Sequence, residues 1–128
     1  MALRDQLRIL VVDDMSTSRG LITQALDEMG ISNVSTADNG KTAIQVLSKR
    51  PAHLVISDYN MPVMDGLHLL HHLRVGERTK GVGFILITGR MEQEIIDKGK
   101  KLGMNNFLNK PFQPNDLRRC IEAVVGRL

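Results

Sequence analysis

Five short apolar runs, each followed by a stretch in which apolar residues recur every three or four positions, set the plan of the chain. The runs are 8–12 (RILVV), 33–36, 54–56 (LVI), 84–87 (FILI) and 106–108. Continuous β-branched runs of this length predict strands covered on both faces. After the first, Ser16 can cap a helix with Leu21, Ile22, Ala25, Leu26 and Met29 at helical spacing, and Gly30 ends the pattern. After the second, Asn39-Gly40 marks a turn, Ala43, Ile44 and Leu47 form one helical face, and Pro51 closes the region. The third run is followed by Asp65-Gly66 and a helix with Leu67, Leu70 and Leu73. The glycines at 81 and 83 break that helix. The helix after the fourth run turns Ile95, Ile96 and Leu102 inward, and its Gly99 weakens it by ~1 kcal/mol relative to alanine. Asn115 or Asp116 opens the last helix, whose apolar side is Leu117, Ile121, Val124 and Leu128. Strand and amphipathic helix therefore alternate five times. That predicts an α/β fold, a doubly wound five-stranded parallel sheet with right-handed crossovers.

The chain has 128 residues, which fits one domain over 1–128 and leaves no room for an output domain. No apolar run approaches the ~20 residues that span a bilayer. The first apolar run is too short, and too soon followed by acids, for a secretory signal. A lone cysteine, Cys120, excludes an internal disulfide and suits a reducing cytoplasm; a buried helical position is its expected place. The net charge of +3 is mild, its basic residues are dispersed, and no aromatic residues are interleaved with them, so nucleic-acid binding is not expected.

The C-terminal strand ends of a parallel sheet share one edge. Strand one brings Asp13 and Asp14 there, strand three Asp58, strand four Thr88 and strand five Lys110. Two acids ~5 Å apart repel by roughly 3 kcal/mol at an effective dielectric of 20. Three of them need a counter-charge. Lys110 offers one unit, and Mg²⁺, which accepts a few carboxylate oxygens and keeps its waters, offers more. Such a set suits phosphoryl transfer: a carboxylate attacks phosphorus in line while cations hold the phosphoryl oxygens. Asp58 stands alone at the end of a central strand and is the better nucleophile, while the Asp13-Asp14 pair reads as a metal platform. Each residue alone has a plainer reading. The acid pair could serve a helix N-terminus, Asp58 a turn, Thr88 a cap, and Lys110 a solvated charge.

The stretches VVDDMSTSR, VISDYNMPVMDG, FILITGR and NFLNKPF together resemble a response-regulator receiver domain, similar to the stand-alone CheY-type chemotaxis regulators, over essentially the whole chain. The resemblance implies a flavodoxin-like (βα)5 receiver with Asp58 as phosphoacceptor and a histidine kinase as donor. It implies Mg²⁺ on Asp13, Asp14, Asp58 and the backbone carbonyl of Asn60, phosphoryl contacts from Thr88 and Lys110, and a cis Lys110-Pro111 bond. It implies a switch in which Thr88 is drawn in and Phe107 moves. Phe107 has no hydroxyl, where many chemotaxis members carry tyrosine, so its switching rests on packing. Tyr59 and Arg90 flank the expected site, at positions that vary within the family and affect water access and dephosphorylation. Lys98, Lys100 and Lys101, with Arg118 and Arg119, give the partner face a basic character that suits an acidic partner. The expected partners are a histidine kinase, a flagellar motor switch protein or other target, and a phosphatase, acting on a cytoplasmic monomer. It is not expected to be an enzyme in the ordinary sense, although it catalyses its own phosphorylation and dephosphorylation. A phosphate sink or relay intermediate is the alternative reading. A haloacid-dehalogenase-type aspartate phosphatase is the distant one, since it needs a D-x-D pattern that Asp13-Asp14-Met15 breaks. His68, His71 and His72 have metal-ligand spacing, but the leucine face leaves them solvated.

Overall fold

The structure is a computed structural model that describes residues 2–89 and 92–128. Its elements run α1 (Leu3–Gln6), β1 (Ile9–Val12), α2 (Ser16–Glu28), β2 (Val34–Ala37), α3 (Gly40–Lys49), β3 (Leu54–Asp58), α4 (Gly66–Val75), β4 (Gly83–Thr88), α5 (Gln93–Lys101), β5 (Asn106–Asn109) and α6 (Pro114–Val125). The five strands form one parallel sheet in the order β2-β1-β3-β4-β5. The expected doubly wound α/β fold is therefore present.

The pleat sorts each strand's side chains into two cores. Ile9 and Val11, Leu54 and Ile56, and Ile85 and Ile87 point to one face, where α2 and α6 cover them with Ile22, Leu26, Leu117 and Ile121. Leu10 and Val12, Val55, Phe84 and Leu86 point to the other, under Leu47, Leu69, Leu70, Leu73 and Ile95 of α3, α4 and α5. β1, β3 and β4 are interior strands, which is why they read as unbroken apolar runs.

Several local expectations need correction. A one-turn helix, α1, precedes β1; its four residues bury nothing, so no apolar periodicity announced it. Ser16 is the first residue of α2 and not its cap; Met15 occupies the cap position without a side-chain bond. Leu21 is 62% exposed, because α2 turns Ile22, Ala25 and Leu26 to the sheet and leaves their neighbour outside. Leu69 on α4 is fully buried although the sequence reading passed over it. α6 begins at Pro114, before Asn115 and Asp116, and the Gln113 amide donates to Asp116 Oδ2 at 3.0 Å. Asp65 opens α4 as expected, its Oδ1 accepting from the His68 amide at 2.9 Å, and Asn39, read from sequence as a turn residue, caps α3, its Oδ1 accepting from the Thr42 amide at 2.8 Å.

Arg74, near the end of α4, ties the sheet's far side together. Its guanidinium donates to the carbonyls of Gly103 and Lys80 and to Asn105 Oδ1, and Asn105 Oδ1 also accepts from the Phe84 amide at 2.8 Å. Gly103 takes φ +93° there, and a Cβ on it would lie 2.9 Å from Arg74 Nε.

Candidate functional site

Asp13 follows the last residue of β1, and Asp58 closes β3 beside it. Both sit where the interior strands run out of sheet, and both are buried, at 0% and 6% exposure; Asp14 is exposed. Carboxylate oxygens of the three lie within 4.8 Å of one another. Lys110, just past β5, reaches over from the sheet edge, and its Nζ lies 3.3 Å from Asp13 Oδ2 and 3.3 Å from Asp58 Oδ1. A single ammonium thus bridges the two buried acids. Burial pushes the Asp58 carboxyl above its ordinary value; Lys110 pulls it down, and Asp13 and Asp14 push it further up. Three anionic oxygen donors with one ammonium between them leave net negative charge, and hard oxygens at this spacing fit a divalent cation such as Mg²⁺.

The surrounding backbone is fixed by short bonds. The Asp13 carbonyl accepts from Arg19 Nη1 at 2.8 Å, and Asp13 Oδ1 from the Met15 amide at 3.0 Å. The Tyr59 amide donates to the Ile87 carbonyl at 2.9 Å, and the Tyr59 carbonyl accepts from the Gly66 amide at 2.8 Å, so α4 starts directly against the end of β3. That closeness needs glycine: a Cβ at 66 would lie 2.7 Å from the Asp58 carbonyl oxygen and 2.7 Å from Leu86 Cδ1. Between them, Val63 holds φ 70°, and the Met64 amide donates to the Pro62 carbonyl at 2.7 Å, a γ-turn. The Lys110-Pro111 bond is cis, as the family resemblance implied.

The other expected site residues divide. Thr88 is buried at the end of β4, and its carbonyl accepts the Lys110 amide at 2.9 Å. Asn60 is exposed two residues past Asp58. Tyr59 is half-buried and, with Leu67, Lys98 and Lys101, lines a groove between α4 and α5. Phe107 is half-buried on edge strand β5, paired in register with Leu86. Arg90 lies outside the described residues. On the expected partner face, Lys98, Lys100, Lys101 and Arg119 are exposed and Arg118 is half-buried. Three of these five carry an acid on their own helix: Lys98 with Glu94, Arg118 with Glu122 and Arg119 with Asp116. His68, His71 and His72 are exposed, and they form no metal-ligand cluster among the described residues.

The sequence reading missed Ser18. Its Oγ accepts from Lys110 Nζ at 2.8 Å. The signal was present: Ser18 is four residues after Asp14, one turn along the helix that the acids introduce. It also missed Ser57, whose buried hydroxyl donates to the Asp58 carbonyl at 2.9 Å.

The sequence model described as response regulator receiver domain matches residues 9–122. The chain is 38% identical over 128 residues to a probable chemotaxis protein CheY of Rhizobium etli, covering 100% of this chain and 99% of that one. Chemotaxis protein CheY4 of Vibrio cholerae superposes with a TM-score of 0.88 at 30% identity, over 93% of this chain and 98% of that one. The receiver domain of a sensor histidine kinase of Pseudomonas aeruginosa PAO1, solved with a magnesium ion coordinated in its active-site cleft, gives a TM-score of 0.85 at 26% identity, over 94% and 98%. A match spanning every strand, together with two buried acids bridged by a lysine at the strand ends, leaves the aspartate-phosphatase alternative without support: this chain belongs to the response regulator receiver domain family.

Proposed function

We propose that Asp58 is the residue phosphorylated in this two-component response regulator, and that a histidine kinase is the donor. The observation that carries the reading is Lys110 Nζ standing 3.3 Å from an oxygen of each buried acid, so that a cation is already in place where phosphoryl charge would arrive. An Asp58 carboxylate oxygen attacks the phosphorus of a phosphohistidine. The P–N bond breaks, its electron pair leaves with the imidazole, which takes up a proton, and the product is an acyl phosphate. Asp13 and Asp14, with Asp58 and the Asn60 carbonyl, hold Mg²⁺ in this proposal. When bound, that ion neutralises oxygens of the transferring group. Lys110 contacts the phosphoryl oxygens, and Thr88 donates to one of them.

The output follows from position. α5 and α6 lie on opposite faces of the sheet with edge strand β5 between them, so the surface carrying Lys98, Lys100, Lys101, Arg118 and Arg119 wraps one edge of the molecule. Phosphorylation draws Thr88 inward, Phe107 repacks, and the population shifts toward the state that binds a target. Likeness to proteins named for chemotaxis supports a flagellar motor switch protein as that target. No helix among the described residues is long and apolar enough to cross a membrane, which agrees with a cytoplasmic pathway. Incubation with Mg²⁺ and acetyl phosphate followed by intact mass tests the acceptor. Wild type gains one phosphoryl mass and Asp58→Asn gains none; equal labelling of the two sinks the reading. Phosphotransfer that proceeds without any gain in affinity for motor switch protein would make the chain a phosphate sink instead.

A further inference from the structure

The Lys110 ammonium has three hydrogens, and three oxygen acceptors surround it among the described residues. Two are carboxylates, Asp13 Oδ2 and Asp58 Oδ1, each at 3.3 Å. The third and nearest is the Ser18 hydroxyl at 2.8 Å. Lys110 lies just past edge strand β5, and its ammonium meets Asp58 at the end of β3, Asp13 after β1 and Ser18 on α2. Ser18 therefore anchors the tip of that reach on the side away from β5. Its hydroxyl does so without adding to the negative charge of the cluster, and no other bond of that hydroxyl is present among the described residues.

We propose that Ser18 is a positioning residue for Lys110: its hydroxyl holds the ammonium between the two buried carboxylates in the unphosphorylated protein, and phosphorylation releases that contact. The proposal rests on the reading that Asp58 is the acceptor. Incoming phosphoryl oxygens are anionic acceptors and compete for the ammonium's hydrogens. Of the three present partners, the neutral hydroxyl is the one surrendered most readily, because charged acceptors bind an ammonium more strongly. Breaking the Ser18 contact is then a part of the barrier, and the residue at position 18 sets how reactive the resting protein is.

Ser18→Ala and Ser18→Thr separate this from a structural role. In EDTA, without any phosphodonor, the Lys110 ammonium resonance in ¹⁵N-edited spectra should move, and its hydrogens should exchange faster with water, in Ser18→Ala. Ser18→Thr, which keeps the hydroxyl, should restore both. With Mg²⁺ and acetyl phosphate, Ser18→Ala should be phosphorylated severalfold faster than wild type, and Ser18→Thr at close to the wild-type rate. An unchanged Lys110 resonance in Ser18→Ala overturns the proposal, and so does an unchanged or slower phosphorylation rate. Wild type that takes up no phosphoryl group at all would instead overturn the acceptor reading, and the ammonium spectra would still stand as the test of the contact.

Discussion

Removing the charge of Asp58 should stabilise the metal-free protein. Asp58 is 6% exposed and shares oxygens within 4.8 Å with Asp13 and Asp14. At that separation and an effective dielectric of 20, each like-charge pair costs about 3 kcal/mol. Asp14 is exposed, and solvent removes much of its share. Against this stands one attraction, Lys110 at 3.3 Å, worth about 5 kcal/mol on the same scale. The charge terms nearly cancel, so burial of the carboxylate decides the sign, in agreement with a carboxyl pushed up mainly by desolvation. Asp58→Asn keeps an oxygen for Lys110 and sheds the desolvated charge. The expected gain at neutral pH is about 1 kcal/mol, or about 4 °C in Tm for a domain of this size. A raised folded-state value means that the native protein binds more protons than the unfolded chain. The Asp58 contribution is then present below 3.8, the ordinary value, and is lost as pH rises through the higher native one. Calorimetry in EDTA should accordingly show the two proteins close together below pH 3.8 and the variant ahead at neutral pH. Added Mg²⁺ should close the gap, because it binds the wild-type native state more tightly. A variant that melts at or below the wild-type temperature in neutral EDTA refutes the reasoning.

Three further outcomes follow from named contacts. Gly66→Ala places a methyl 2.7 Å from the Asp58 carbonyl oxygen, and should cost about 1–3 kcal/mol in urea unfolding and shift the Asp58 and Tyr59 amide resonances; unchanged stability would show that the close approach is not needed. Val63 is β-branched at φ 70° and 94% exposed, so Val63→Asn should raise stability by about 1 kcal/mol, and a lowered urea midpoint would contradict it. Burial pushes the Cys120 thiol up to about 11, so iodoacetamide at mildly alkaline pH should label it slowly until urea unfolds the chain, whereas rapid labelling of the folded protein would mean that the thiol is accessible.

The fold was legible because its interior strands are short and apolar on both faces. LVI and FILI admit few other readings once five such runs alternate with amphipathic stretches. The acids and the lysine were legible because each stands at or just past the end of a strand, and a parallel sheet collects strand ends on one edge. What escaped has an equally physical cause. α1 buries nothing, and Leu21 stands beside a true core position, so hydrophobicity alone misplaces both. Ser18 meets Lys110 across 92 residues of sequence, and a hydroxyl early in a helix reads locally as an end signal. The role of Gly66 depends on how closely the Asp58 carbonyl approaches, a distance that turn chemistry does not encode.

The Arg74 clamp has a mechanical consequence. By gripping the Gly103 carbonyl and Asn105 it moors the chain where α5 has just ended. Leu102 packs into the same core, and the Met104 side chain covers Gly99 in the last turns of that helix. A rod moored at one end answers a push only by swinging about its mooring. A push arriving from the end of β4 would therefore move Gln93 most and Lys98, Lys100 and Lys101, beside the mooring, least.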